Sequence, residues 1–209
     1  MKYYLKQCVT PIVYQLFSSV IALGILFIGA EMVVLRVILL VLNLAMYVSI
    51  MGAVFFKEGQ EAFKVRIAND LERMEIIRTG DALPLKLHEE YKWWKGFALA
   101  LITCIPLFFL LLLHVILVLS VGTNASGAGV IAGALYMFVF GFVRSLTGIS
   151  VPGESVIAVA DPWRCLWALL AVPIIVLSIG IPYYFGAKKI ELRQEKINET
   201  QRKIYGGKD

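Results

Sequence analysis

Five apolar stretches, separated by polar and charged segments, run along this chain of 209 residues. They cover approximately residues 11–29, 33–56, 97–121, 128–143 and 165–185. A membrane-spanning helix needs about 20 consecutive apolar residues, so the pattern predicts an all-α, polytopic membrane helix bundle. Only the four residues Gly29 to Met32 separate the first two stretches, and this spacing predicts a tight helical hairpin.

Charged residues are almost absent from these stretches. Two lie between Pro11 and Phe56, and four lie between Phe97 and Ala187. The whole chain is 59% hydrophobic and 17% charged, with a mean hydropathy of +0.79, whereas a soluble domain is about 45–50% apolar and about 25% charged. The composition therefore excludes the soluble globular classes, and we interpret residues 1–209 as a single membrane domain.

The region 57–95 contains eight basic and eight acidic residues, and its first half has the pattern of an amphipathic helix. An apolar stripe recurs there at steps of three and four residues: Phe63, Ile67, Leu71, Met74 and Ile77. Gly80 is placed to end this helix as its C-cap, and Pro84 blocks continuation. An apolar stripe of this kind needs to be covered, so we expect it to dock a protein partner or lipid.

Aromatic residues and lysines mark the polar boundary of the third stretch. Tyr91, Trp93 and Trp94 lie between the charged region and this stretch, which is typical of anchors at a membrane interface. At the other end of the chain, the tail 188–209 holds seven basic and four acidic residues, with an isoleucine every seven residues. The spacing predicts that the fifth stretch continues into water as a helix.

The positive-inside rule places segments rich in Lys and Arg on the cytoplasmic side of a membrane. It assigns that side to the N-terminus, the 57–95 region and the 188–209 tail, and we expect a multi-pass protein of the plasma (inner) membrane. Five complete crossings would instead leave the tail outside. Three interpretations stay open. An element within 122–163 is re-entrant or broken, or 145–163 is an exterior loop and the rule is violated, or the boundaries of the segments are drawn wrongly.

Polar residues inside or beside apolar stretches are candidate functional residues, because burying an ionisable group in a bilayer is costly. Here they are Asn43, His114, Arg144, Glu154, Asp161 and Arg164. One interpretation is an ion pair of Arg144 with Glu154 or Asp161 that lines a permeation pathway, with His114 as a proton-sensitive neighbour. The interpretation that we favour is structural: interfacial charges at the ends of segments, and hydrogen bonds between helices from Asn43 and His114.

Neither catalysis nor nucleic-acid binding is indicated. The sequence has no nucleophile motif and no metal-ligand spacing, and His88, Glu89 and Glu90 are consecutive, so they point in different directions on a helix. We therefore predict no catalytic residue, no metal and no cofactor. The formal net charge of +5 fits attraction to anionic lipid headgroups.

Two functions remain open. In the first, the protein is a non-enzymatic subunit or scaffold of a membrane complex, and its cytoplasmic helix and tail dock a partner. In the second, it is a small oligomeric channel or transporter whose pathway is lined by the 122–163 region. We favour the first, because the apolar stretches lack the deep carboxylates that proton-coupled transporters use.

Overall fold

The computed structural model describes residues 2–26, 32–80, 85–121, 169 and 171–205. These residues form four α-helices and contain no strand: α1 (Lys2–Leu26), α2 (Val33–Thr79), α3 (Lys95–Val121) and α4 (Ala171–Tyr205). The predicted all-α class is confirmed for this part of the chain. The fourth apolar stretch, 128–143, and the whole of 122–163 lie outside the described residues.

Helix α2 is 47 residues long, or about 70 Å at 1.5 Å per residue. It continues through Phe56, where the sequence changes from apolar to charged, so the predicted amphipathic helix is an extension of the second apolar stretch. The helix ends at Gly80, whose φ of 80° is left-handed and whose N–H donates to the Ile76 carbonyl. Glycine adopts this conformation without steric cost, and the predicted C-cap is confirmed.

Among the described residues, α2 is the one helix that is long and apolar enough to cross a bilayer. Shorter apolar helical stretches cover Gln7–Ala22 and Lys95–Pro106. These findings support association with a membrane. They show fewer spanning helices than the five apolar stretches of the sequence predict.

Helices α1 and α2 form an antiparallel pair. At one end, Gln7 Nε2 donates a hydrogen bond of 2.9 Å to Glu58 Oε2. Eleven residues further along α1, Asn43 Nδ2 donates to the backbone oxygen of Ser18 over 2.9 Å. Because the contact position moves backwards along α2 as it moves forwards along α1, the two helices run in opposite directions, as the predicted hairpin requires.

Helices α2 and α4 run parallel. A Cβ added to Gly52 would lie 3.7 Å from Pro182, and four residues further along each helix Gly186 lies against the backbone of Phe56. The residue numbers in contact therefore increase together along both helices, as they do in a parallel pair. Helix α4 is continuous to Tyr205, so the prediction that the fifth stretch continues as a helix is confirmed.

Two glycines bring the backbones of α2 and α4 into direct contact. A Cβ at Gly59 would overlap the carbonyl of Tyr183, and a Cβ at Gly186 would overlap the carbonyl of Phe56. The contact is therefore reciprocal: Tyr183 lies three residues before Gly186 on α4, and Phe56 lies three residues before Gly59 on α2. This is the close approach that small residues permit between membrane helices, and Cα–H groups facing carbonyls add weak attraction.

Helix α3 runs antiparallel to α4 and also packs on α1. Gly96 lies against the ring of Tyr183, and Gly180, three residues earlier on α4, lies against the ring of Phe97. The main contacts therefore arrange the helices as a square, in which each helix packs on two neighbours. Helices α1 and α3 run in one direction, and α2 and α4 run in the other.

The core and the outer surface of this bundle are both apolar. Buried residues of all four helices form the main core cluster, which includes Cys8, Tyr47, Met51, Phe55, Leu99, Cys104, Ile175, Ile179 and Tyr183. On the outside, Leu42, Ile105, Phe109 and Phe185 are exposed. Helices that are apolar all round are typical of a bilayer or of the interior of a larger assembly.

The glycine contact gives a test of the fold. We expect Gly59→Ala to lower the free energy of unfolding by about 1–3 kcal/mol, the usual cost of overpacking, because its methyl group meets the Tyr183 backbone. Gly24→Ala is the matched control, since a Cβ there meets nothing within 4 Å. Thermal unfolding in detergent measures both variants. Equal stability of the two would contradict the close contact.

Candidate functional site

Charged segments that are far apart in sequence meet at one end of the bundle, which we call the polar end. It contains the start of α1, residues 57–59 of α2, the loop 85–94 and the lysines 188 and 189 of α4. Gln7 contacts Glu58 there, and the Lys189 ammonium lies 5.6 Å from the centre of the Phe56 ring. From the paired glycines, α2 and α4 each extend about 20 residues further, or about 30 Å.

The loop 85–94 is fastened along the side of α2. The Tyr91 N–H donates to the Ala62 carbonyl over 3.1 Å, and the Lys86 N–H donates to Asn69 Oδ1 over 3.2 Å. Asn69 is 2% exposed, and its Nδ2 donates to Glu90 Oε2 over 3.4 Å. One buried amide on α2 therefore binds the loop through both its donor and its acceptor.

Glu90 also binds Arg73, which ties the same loop to α2 one turn further out. The Arg73 guanidinium donates over 2.9 Å to Glu90 and over 2.7 Å to Asp70. The hydrogen bond to Glu90 is the main cause that raises the pKa of Arg73. The loop is thus held by a chain of polar contacts from Asn69 to Arg73.

Three aromatic rings join α2, the loop and α4. The ring centres of Phe63 and Tyr91 are 5.6 Å apart, and Tyr91 stacks on Tyr183 with ring centres 5.7 Å apart. Of the three predicted interfacial anchors, Tyr91 therefore packs inward, whereas Trp93 and Trp94 are exposed. The aromatic contacts place the start of α3 against both long helices.

The predicted docking stripe divides into two parts. Phe63 is buried against Tyr91 and so is not available to a partner, which corrects its assignment as a docking residue. Ile67 is half-buried. Beyond it, Leu71 is 62% exposed, Met74 67% and Ile77 86%, and we call these three residues the tip stripe.

Lys95, the first residue of α3, is a buried lysine at the polar end. Its side chain is 1% exposed, and its Nζ donates to the carbonyls of His88 over 2.8 Å and Glu90 over 3.5 Å. Burial lowers the pKa of Lys95 to about 8, and the nearby Glu58 and Glu89 partly oppose this shift. The ammonium therefore closes the loop 85–94 onto the start of α3.

Asn43 lies in a polar pair between α1 and α2, far from the polar end. Ser18 Oγ donates to Asn43 Oδ1 over 3.2 Å, and the Asn43 amide donates back to the Ser18 carbonyl. Both residues are buried. Asn43 thus bonds across two helices, which is the structural role that the sequence favours for it.

Of the other polar candidates, His114 lies within α3. Arg144, Glu154, Asp161 and Arg164 lie outside the described residues, as does the 122–163 region assigned to a pathway. In the described ranges, no group of three or more His, Cys, Asp or Glu side chains is placed to hold a metal ion. His88 has an exposed side chain and contributes its backbone carbonyl.

Several residues that organise the polar end are not identified by sequence reasoning. The sequence does not distinguish Lys95 and Asn69 from the polar residues around them, because their burial depends on how the loop 85–94 packs. Gly59 and Gly186 carry a signal that a reader of the sequence could use, because glycine within a helix costs stability unless close packing requires it. Tyr183 has no such signal.

The polar end is suited to holding helices rather than to chemistry, because its described buried groups bond to one another and to backbone carbonyls. The chain matches no protein-family model, no curated protein and no solved structure. Its function must therefore be inferred from this geometry.

Lys95 gives a test of this arrangement through pH. Between pH 8 and 10.5 the folded state holds Lys95 neutral while the unfolded chain keeps it charged. The unfolded state then binds more protons, so this lysine makes the stability rise with pH across that window. We therefore compare the free energy of unfolding of the wild type with that of Lys95→Met. The difference, wild type minus variant, is expected to increase from pH 8 to 10.5.

Thermal unfolding of the wild type and of Lys95→Met in detergent, at a series of pH values, measures this difference. A flat difference for Lys95→Met would contradict the burial of its ammonium.

Proposed function

We propose that this protein is a non-enzymatic membrane scaffold, in which a helical bundle anchors the chain and α2 carries a docking surface into the cytoplasm. The observation that carries the proposal is the tip stripe: Leu71, Met74 and Ile77 are exposed at the far end of a helix that begins in the bundle. Burying one such side chain contributes about 1.5–3 kcal/mol. A partner that covers the stripe would therefore be bound by the hydrophobic effect.

Four membrane crossings are supported by the directions of the helices. The N-terminus, the loop 85–94 and the tail of α4 lie at one end of the bundle, and these are the segments that the positive-inside rule assigns to the cytoplasm. The directions of the four described helices, α1 and α3 one way and α2 and α4 the other, agree with the rule. The apolar outer surface of α2, α3 and α4 fits lipid, since Leu42, Phe109 and Phe185 need a nonpolar environment.

A protein partner fits the tip stripe better than lipid does. If the membrane surface lies near Gly59, the stripe is about 12–18 residues, or about 18–27 Å, further along the axis. The polar headgroup layer on one side of a bilayer is only about 5–8 Å thick. Because α2 is one continuous helix, it carries the stripe away from its own bilayer.

The alternative function, a channel or transporter, depends on the 122–163 region. No observation on the described residues favours it.

Membrane topology gives the first test of the proposal. In a background without the three native cysteines, we expect Thr200→Cys to react with an impermeant maleimide from the cytoplasmic side only. Met32→Cys, at the hairpin end of α2, should react only from the opposite side, because α2 lies between the two positions. Labelling of both from one side would contradict the crossing of α2.

The docking role has its own test. A photo-crosslinking amino acid at Met74 should form adducts with protein in native membranes, and the same probe at Phe109, which is exposed on α3, should form adducts with lipid. Replacing Leu71 and Ile77 with Ser should abolish the Met74 adduct and leave thermal stability unchanged, because both side chains are exposed. Lipid adducts alone at Met74 would overturn the docking role.

A further inference from the structure

The residues around the tip stripe are chemically self-complementary. Leu71 lies three residues before Met74 and Ile77 three residues after it, and both are apolar. Asp70 lies four residues before Met74 and Arg78 four residues after it, and they have opposite charges. A two-fold axis through Met74 would therefore bring apolar residues opposite apolar ones and each carboxylate opposite a guanidinium, which is the requirement for an isologous contact.

These residues also share one face of α2. At 100° per residue, Asp70 and Arg78 lie about 40° to either side of Met74, and Leu71 and Ile77 lie about 60° to either side. Asp70 keeps 47% of its side chain exposed beside Arg73, and Arg78 is exposed. The face that carries the apolar residues thus also presents both charges.

Charge decides the direction of the pairing. A parallel pair would set each residue beside its own copy, with Asp70 next to Asp70 and Arg78 next to Arg78, and like charges at such distances repel. An antiparallel pair sets Asp70 opposite Arg78 twice, once on each side of the axis. Complementary charge of this kind fixes register and excludes wrong pairings.

We propose that the occupant of the tip stripe is a second copy of this chain, bound antiparallel through residues 70–78 of α2. The inference rests on the proposed topology and names the partner of that docking surface. Copies in one bilayer point the same way, so an antiparallel pair joins copies in two apposed bilayers. The protein would then hold membranes about 45 Å apart, twice the distance along α2 from Gly59 to Met74.

A contact of nine residues per copy is small, so a single pair is expected to be weak and transient. Several copies in each of two apposed membranes would bind together, and the second contact then forms at a high effective concentration. Disulfide trapping is therefore the suitable assay, because oxidation accumulates a pair that forms only transiently, both in concentrated detergent solution and between vesicles that contain many copies.

The direction of pairing is tested with single cysteines in detergent, in the background without native cysteines and with copper phenanthroline as the oxidant. Met74→Cys lies on the axis and should form a dimer with itself. Asp70→Cys should not, because its two copies are about 12 Å apart along the axis, which is beyond the Cβ separation of a disulfide. Mixing Asp70→Cys with Arg78→Cys should give the mixed dimer, because the two positions lie at one height and about 40° from the contact line. The second Asp70–Arg78 pair keeps its charges in this dimer. Self-dimers of all three variants would mean parallel pairing and overturn the proposal.

The charges are tested in the Met74→Cys protein. Arg78→Asp should lower the dimer yield roughly tenfold or more, and adding Asp70→Arg should restore it. Positions 70 and 78 are about 12 Å apart along one helix, so the restoration cannot come from a pair within one chain. Failure of the double variant to restore the dimer would contradict the assigned register.

The apposition of membranes is tested by reconstituting Asp70→Cys and Arg78→Cys in separate vesicles, with the polar end outward. A mixed disulfide after mixing the two populations can form only across two bilayers, and it is the expected result. If mixed dimers form in detergent but none form between the two vesicle populations, the proposal that the contact joins two apposed membranes is wrong. If Met74→Cys forms no self-dimer and the probe at Met74 crosslinks to a different protein, the partner is not a second copy of this chain. The scaffold function would still stand in that case.

Discussion

The close contact between the backbones of α2 and α4 sets the arrangement of the rest of the described chain. Gly59 and Gly186 allow each helix to lie against the carbonyls of the other, and this fixes two helices far apart in sequence as a parallel pair. Because they are parallel, both leave the bundle at the same end. The positions of the loop 85–94 and the tip stripe follow from this contact.

The loop 85–94 makes that contact rigid on its outer side. Tyr91 packs between Phe63 and Tyr183 and stacks on the Tyr183 ring. Asn69 binds the Lys86 N–H, and Lys95 binds the His88 carbonyl. The loop therefore braces α2 where the helix emerges from the bundle. The polar contacts to the loop end at Arg73, and the apolar side of α2 is exposed from Leu71 onwards. A rigid helix with an uncovered apolar end suits a docking element better than a catalytic one.

Much of this architecture follows from sequence patterns, because apolar runs, turn residues and charge blocks each have a local physical signature. The hairpin of α1 and α2, the Gly80 cap and the helical continuation of α4 are predictable in this way. The continuity of α2 through Phe56 is not, since a change in composition looks the same whether a helix ends or leaves a bilayer.

The candidate site is less predictable than the helices. Periodicity identifies the apolar stripe as one surface, but tertiary packing divides it, burying Phe63 beneath Tyr91 and leaving Leu71 exposed. The burial of Lys95 depends on the path of the loop, which has no local signature. The Asn43 amide is a partial exception, because a polar group within an apolar stretch needs a partner on a neighbouring helix.

The central claim is that α2 is one helix that begins in the membrane and ends in water. Spin labels placed singly along 41–78 test it by their collisions with oxygen, which concentrates in lipid, and with a water-soluble nickel chelate. The account predicts an unbroken helical periodicity, with oxygen favoured at exposed positions before Phe56 and the chelate favoured beyond Glu61, including Leu71. A break in periodicity between residues 56 and 61, or oxygen favoured at Leu71, would contradict it.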